Sequence, residues 1–312
     1  CFYSTLKTIE ILDLKNLVND KGIHLTAEKL LKIHPSDASN QDMAAAAGLN
    51  LYGKMFNRPE TVDHARYLIK REKYKGQFIE YGGFDVGYAS VTLNFLAYAV
   101  QDGLVEFSQV LVDLANKLTP FINFQGFLGG EYCSRNTSYF LPFGYLKATE
   151  ISPDLAGETS QLQIQKNYFK FDDRYLLHYS AASFGFSLYS MFAFILNLKD
   201  EKIMPKLWPK IHVSDSILRV NAPEVKIFAG LNKGGAVEIS TLNGNYIHYG
   251  YSFKSDQSKL VYRNCEIQND ESRIIQNTDE FFEMDIVSYP FAFPRLTPSP
   301  FKTIVLRLIS FL

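Results

Sequence analysis

The sequence predicts a multidomain α and β protein in which an all-α half precedes an all-β half, and three observations lead there. Apolar residues recur at helical spacing through roughly the first two hundred positions. A proline-bearing stretch then changes the texture near residue 205. Beyond it, short runs alternate β-branched and aromatic residues between Gly, Asn and Asp, the pattern of an antiparallel sandwich. With 312 residues, 46% hydrophobic and 14% aromatic, the chain can fill one large or two moderate cores, which excludes intrinsic disorder.

The helical half opens with Leu6, Ile9, Leu12, Leu14 and Leu17 near helical spacing, followed by the alanine-rich "DMAAAAGLNLYGKMF". Further helices are expected near 60–74, 88–101, 104–118, 153–167 and 174–198, set apart by Gly- or Pro-containing breaks. Residues 179–198 carry no charge and are long enough to cross a bilayer. Their serines, glycine, asparagine and tyrosines dilute the apolar character, so a helix buried in the helical domain is expected and no transmembrane segment. Charged "KDEK" and Pro205, Pro209 and Pro223 then suit a linker over 205–222, placing the helical domain at 1–204 and the β domain at 223–312. Strands are expected in "EVKIFAG", "GGAVEIS", "NYIHYGYSF", "KLVYRNCEI" and "TIVLRLI". The chain opens on Cys1 and closes on "FKTIVLRLISFL", which reads as a strand cut short. The expectation is a fragment, truncated in its first domain at the N-terminus and in its second at the C-terminus.

Composition narrows the partners. Thirty-two basic against 33 acidic residues leave a net charge of −1, without the electrostatic footprint that nucleic-acid binding needs. Cys1, Cys133 and Cys265 form no CxxC pair, and His24, His34, His64 and His212 lack ligand spacing, so no metal and no cofactor is expected.

Two clusters stand out. In "EYGGFDVGYASVTLNFLAY", a glycine-rich loop bearing Glu80, Tyr81, Asp85 and Tyr88 runs straight into a helix. It matches neither GxGxxG nor a P-loop, so nucleotide binding is not indicated; its glycines could serve only a tight loop, with the polar residues capping the helix. In "GFLGGEYCSRNTSYFLPFGYLKA", Glu131, Arg135, Asn136 and Tyr139 precede an apolar helix. Arg offers a planar fork to a carboxylate, Asn a neutral donor to an oxyanion, and Tyr a proton or a stacking face, which together suit an acidic or hydroxyl-rich ligand such as a sugar. His178 lies in an apolar-aromatic helix and His248 in a strand between tyrosines; either could equally be structural.

With "DDRYLLHYSAASF" and "VKIFAGLNKGGAVEI" in the same order, these clusters resemble the heparinase II/III-like family of bacterial polysaccharide-processing proteins over most of the chain. The resemblance implies an incomplete (α/α) toroid followed by an antiparallel β-sandwich, with an acidic polysaccharide or oligosaccharide in the groove between them and a periplasmic or extracellular setting. It implies a lyase that breaks a uronate-containing glycan by β-elimination, in which one group neutralises the carboxylate, a Tyr or His removes the C5 proton, and a Tyr protonates the leaving oxygen. Carried onto this chain, Tyr88 is the expected acid/base, Arg135 or Asn136 the neutraliser, and His178 or His248 an auxiliary base. Glu80, Tyr81, Asp85, Glu131, Tyr139 and His248 are the expected substrate contacts. The sequence has no His between Leu68 and Leu176, which keeps a non-catalytic glycan-binding or assembly protein open. A glycoside hydrolase drawing two carboxylates from Glu80, Asp85 and Glu131 is the other alternative.

Overall fold

The computed structural model describes residues 2–16, 20–32, 38–74, 78–80, 83–124, 128–130, 132–133, 138–139, 143–155, 211–214, 216–222, 224–248, 252–254, 260–263, 271–277, 282–287 and 291–294. The helix expected across Leu6 to Leu17 is shorter: α1 (Phe2–Ile11) buries Tyr3, Leu6 and Ile9, and the chain then turns with Asp13 at φ 50°. Ile11 and Leu12 are exposed, so the apolar spacing outran the face that has a partner. A second helix, α2 (Asp20–Lys32), follows; it buries only Ala27 within a lysine-rich sequence, which hid it from a periodicity reading.

The alanine run forms α3 (Ser39–Phe56), whose small residues let neighbours come close. A Cβ on Gly48 would lie 2.8 Å from the Phe2 ring. Asn57 adopts the left-handed conformation and returns its N–H to Gly53 O, ending α3 before α4 (Pro59–Tyr74) starts on a proline. A two-residue hairpin of β1 (Ile79–Glu80) and β2 (Gly83–Phe84) leads into α5 (Val86–Gln101), which is buried almost all round and packs against α3, α6 (Ser108–Leu118) and α7 (Phe143–Ile151). A second hairpin, β3 (Leu128–Gly129) with β4 (Ser138–Tyr139), also packs on α5.

The second half is antiparallel β. Strands β5 (Ile211–Ser214), β6 (Ile217–Asn221), β7 (Val225–Gly230), β8 (Ala236–Thr241) and β9 (Gly244–His248) form one five-stranded meander in sequence order. Beyond it, β10 (Ser252–Lys254), β11 (Leu260–Arg263) and β14 (Phe291–Pro294) share a sheet, and β12 (Glu271–Asn277) pairs with β13 (Phe282–Val287). The molecule is thus a mixed α and β protein, with its helices and two short hairpins before its main sheets along the described chain.

The stretch expected as a linker, 205–222, holds β5 and β6, so the sheet begins at Ile211. Alternation of Ile211 with Val213, and of Leu218 with Val220, is a strand signal. The prolines at 205, 209 and 223 fall in sequence before β5 and after β6, not inside them. Cross-strand pairing sorts the sheet into two faces. Arg219, Lys226, Phe228, Glu238 and Ser240 share one and turn to the helices; Leu218, Val220, Ala229 and Val237 share the other, where Ile286 of β13 packs. Most of 153–167, all of 174–198 including His178, and "TIVLRLI" lie outside the described residues. Among the described residues, no helix is long and apolar enough to cross a membrane.

Candidate functional site

The N-terminus of α5 is where the two sequence clusters converge. Asp85 takes the extended conformation of an N-cap, and its Oδ1 accepts the Tyr88 backbone N–H at 2.8 Å. A carboxylate here also meets the positive end of the helix dipole. Gly87 is buried on the first turn, and the half-buried Tyr88 stands one residue later. The second cluster reaches the same point through Cys133, a free and fully buried thiol close enough to Asp85 and the Val86 amide for both to bear on its titration. Burial pushes this thiol well up, and the negative charge of Asp85 pushes it further in the same direction. Burial likewise raises the neighbouring Tyr132 phenol, with Cys133, Glu238 and Asp85 adding to it. Both groups are therefore protonated and neutral at pH 7.

The sheet closes this end from the other side. Phe228, at the centre of its helix-facing side, stacks on Tyr132 at 5.1 Å and 21°, and lies tilted at 33° to Phe121 with ring centroids 6.2 Å apart. Around that aromatic centre lie polar contacts between the two halves. Asn123 Nδ2 donates to Glu238 Oε1 at 3.1 Å, the Phe124 N–H donates to Ser240 Oγ at 3.1 Å, and Lys226 Nζ donates to Ile122 O at 2.6 Å. Lys233 Nζ donates to Cys133 O. Burial lowers the Arg219 guanidinium to about 10, still cationic at neutral pH, and its Cζ sits 5.5 Å over the Phe121 ring.

The expected site residues are distributed unevenly. Asp85, expected to touch substrate, is 0% exposed and caps α5. Tyr88 keeps partial exposure at the same helix end. Glu80 is placed in β1, and Tyr139 in β4 opposite Leu128 of β3. Tyr81, Glu131, Arg135, Asn136 and His178 lie outside the described residues. His248 is exposed on β9 opposite Val237, so it belongs to the sheet face turned away from Glu238 and Ser240.

Sequence reading missed the residues that join the halves: Cys133, Lys226, Lys233 and Glu238. The available signal was Lys226 and Glu238 recurring at alternate positions within otherwise apolar strands, on the face that carries Phe228. Among the described residues, no cluster of His, Cys, Asp or Glu could hold a metal ion. Compared with protein-family models, with curated proteins and with solved structures, the chain matches none.

Proposed function

We propose that this chain is a polysaccharide-processing protein of heparinase II/III-like kind, a lyase acting on an acidic, uronate-containing glycan by β-elimination. In this reading the helices are part of an (α/α) toroid, the strands belong to a β-sandwich, and the glycan lies where they meet. The observation that carries it is the approach of the two clusters: the β3–β4 hairpin that brackets the second packs on α5, which the first opens, and the buried Cys133 lies close enough to Asp85 for its charge to act on the thiol. Tyr88, the partly exposed hydroxyl at that junction, is the acid/base; it takes the C5 proton and returns a proton to the leaving glycosidic oxygen as the C4–O4 bond breaks and the C4–C5 double bond forms. Arg135, with Asn136, meets the uronate carboxylate and lowers the barrier to forming the C5 carbanion.

A glycoside hydrolase fits less well, because Asp85 is buried in the helix cap and one of the three carboxylates it could use is removed. A non-catalytic glycan-binding protein is the second reading, favoured by the position of His248 on the far face of the sheet. One assay separates the three. A panel of polyuronates is scored for unsaturated ends, for new reducing ends without unsaturation, and for binding alone. The lyase reading expects unsaturated ends that Tyr88→Phe abolishes while binding persists. Binding without cleavage by the unaltered protein would leave the second reading, and reducing ends alone would favour hydrolysis.

A further inference from the structure

Tyr88 stands on a turn of α5 that its own sequence leaves weak, because Gly87 beside it is a poor helix former. One residue closes that turn. The Asp85 carboxylate accepts the Tyr88 N–H at 2.8 Å, and the Asp85 main-chain carbonyl accepts the Ala89 N–H at 2.8 Å. These two amides bracket the Tyr88 Cα, so together they set the direction of its Cα–Cβ bond. Asp85 is held in turn from outside the helix. Phe84, the residue before it, packs on Phe121 with ring centroids 6.2 Å apart and carries the Lys117 ammonium 4.2 Å from its own ring centre. Cys133 and Tyr132 of the second cluster lie close enough to feel the Asp85 charge. A serine or an asparagine caps a helix about as well as an aspartate. A carboxylate that is 0% exposed costs more to bury, and what it adds is a charge-assisted hydrogen bond, shorter and stronger than a neutral one.

We propose that Asp85 is a positioning residue: it fixes the turn that carries Tyr88, and with it the direction in which the phenol leaves α5. The proposal rests on the functional reading above for what Tyr88 does, and on the two hydrogen bonds for how Tyr88 is held. Asp85 does not touch substrate in this scheme. Its effect passes through the main chain of Tyr88, which is where a proton-transferring phenol has to be held still for its oxygen to meet the reacting carbon.

The test uses Asp85→Ala and Asp85→Asn in the full chain, with Asp102→Ala as the control that loosens the other end of α5. Fluorine NMR of 3-fluorotyrosine placed at residue 88 reads the phenol directly, without any glycan. One narrow line is expected with Asp85 in place, a broadened or multiple line in Asp85→Ala, and a line between the two in Asp85→Asn, which keeps an acceptor of the same reach. Hydrogen exchange of peptides covering 84–91 should speed by roughly tenfold in Asp85→Ala, while the C-terminal half of α5 keeps its rates. Asp102→Ala is expected to leave the line narrow. A narrow line in Asp85→Ala, equal broadening in Asp85→Ala and Asp102→Ala, or no recovery in Asp85→Asn overturns the positioning role whatever the protein acts on. On a polyuronate that the unaltered protein cleaves, Asp85→Ala should lower kcat by roughly tenfold or more with KM changed by no more than about twofold, and Asp85→Asn should restore part of the loss. A rise in KM at constant kcat would also overturn the role. If the fluorine line and the exchange respond as expected but no polyuronate is bound or cleaved, the hold on Tyr88 stands and the lyase reading falls.

Discussion

The two ends of α5 are both rich in buried polar groups, yet they are built differently. At the C-terminal end Asp102 gathers partners from helices alone. Tyr3 Oη donates to its Oδ2 at 2.9 Å, Lys7 to its Oδ1 at 2.8 Å, and Lys54 to its main-chain carbonyl at 2.7 Å, with Asn50 alongside. Cations at a helix C-terminus and a carboxylate between them satisfy dipole and charge together. Burial works against the Lys7 charge, but its hydrogen bonds to Asp102 and Glu10 more than offset this and raise its pKa. At the N-terminal end the partners come from the sheet and from the 121–133 segment, and they meet uncharged carbonyls, rings and a thiol more often than opposite charges. The first end ties α1, α3 and α5 into one body. The second joins that body to the strands and leaves Tyr88 partly exposed. A residue at the C-terminal end therefore acts on whether the helices fold, and one at the N-terminal end on how two halves are set against each other.

The largest expected effect lies at the C-terminal end. Asp102→Ala removes the acceptor of Tyr3 and leaves the mostly buried Lys7 ammonium only the more exposed Glu10 carboxylate, at a cost of about 2–4 kcal/mol. Urea denaturation measures it. A loss below about 1 kcal/mol would mean this cluster is not what ties the helices together.

Gly230→Ala should cost less, about 1–3 kcal/mol. Its Cβ would stand 2.7 Å from Tyr132 O and 3.1 Å from Lys233 Cβ, and a main-chain carbonyl cannot swing aside as a side-chain tip can. The two substitutions sharpen the comparison when combined. The 16 residues of α5 span about 24 Å, so their effects should add within about 0.5 kcal/mol. Strong coupling between them would show that the ends are not independent.

The same contrast explains what the sequence made legible. Alanine content and apolar runs located α3 to α6 and the strands β7 and β8, because each buries much of its length against its neighbours. Periodicity could not see α2, which buries a single alanine, nor mark the end of α1, where Leu12 and Leu14 continue the pattern outside the helix. The proline-rich region was read by composition, and β5 and β6 were hidden beneath that reading. At the candidate site, glycine and polar clustering found both loops and the capping potential of Asp85. It could not give the junction itself, since Cys133 approaches Val86, and Lys233 approaches Cys133, only through tertiary packing over long sequence separations. Charged residues within strands, such as Lys226 and Glu238, read as solvent-facing unless the face they share with Phe228 is known to be covered.

The smallest expected effect is a pH dependence confined to the N-terminal end. Burial raises the folded-state pKa of Cys133, so the folded protein keeps a proton that the unfolded chain releases from about pH 8.5 upward. Stability from this group is complete below that pH. It falls as pH rises toward the folded pKa, by no more than about 1.4 kcal/mol per pH unit. Tyr132 and Lys7 are also raised, but their unfolded-state values lie near about 10 or above, so their losses begin later. Between about pH 8.5 and 10 Cys133 thus tilts the stability curve downward, opposed toward the top of that window by Arg219, which burial lowers to about 10 and which sheds its proton in the folded state first. Cys133→Ala removes the titrating thiol and leaves a small cavity. It should lower stability by about 1 kcal/mol below about pH 8.5 and by less as pH rises above it, flattening the slope in that window, as read from urea midpoints at stepped pH. An unchanged slope would place the alkaline sensitivity elsewhere. A slope that flattens equally in Asp102→Ala would mean that the two ends of α5 respond as one.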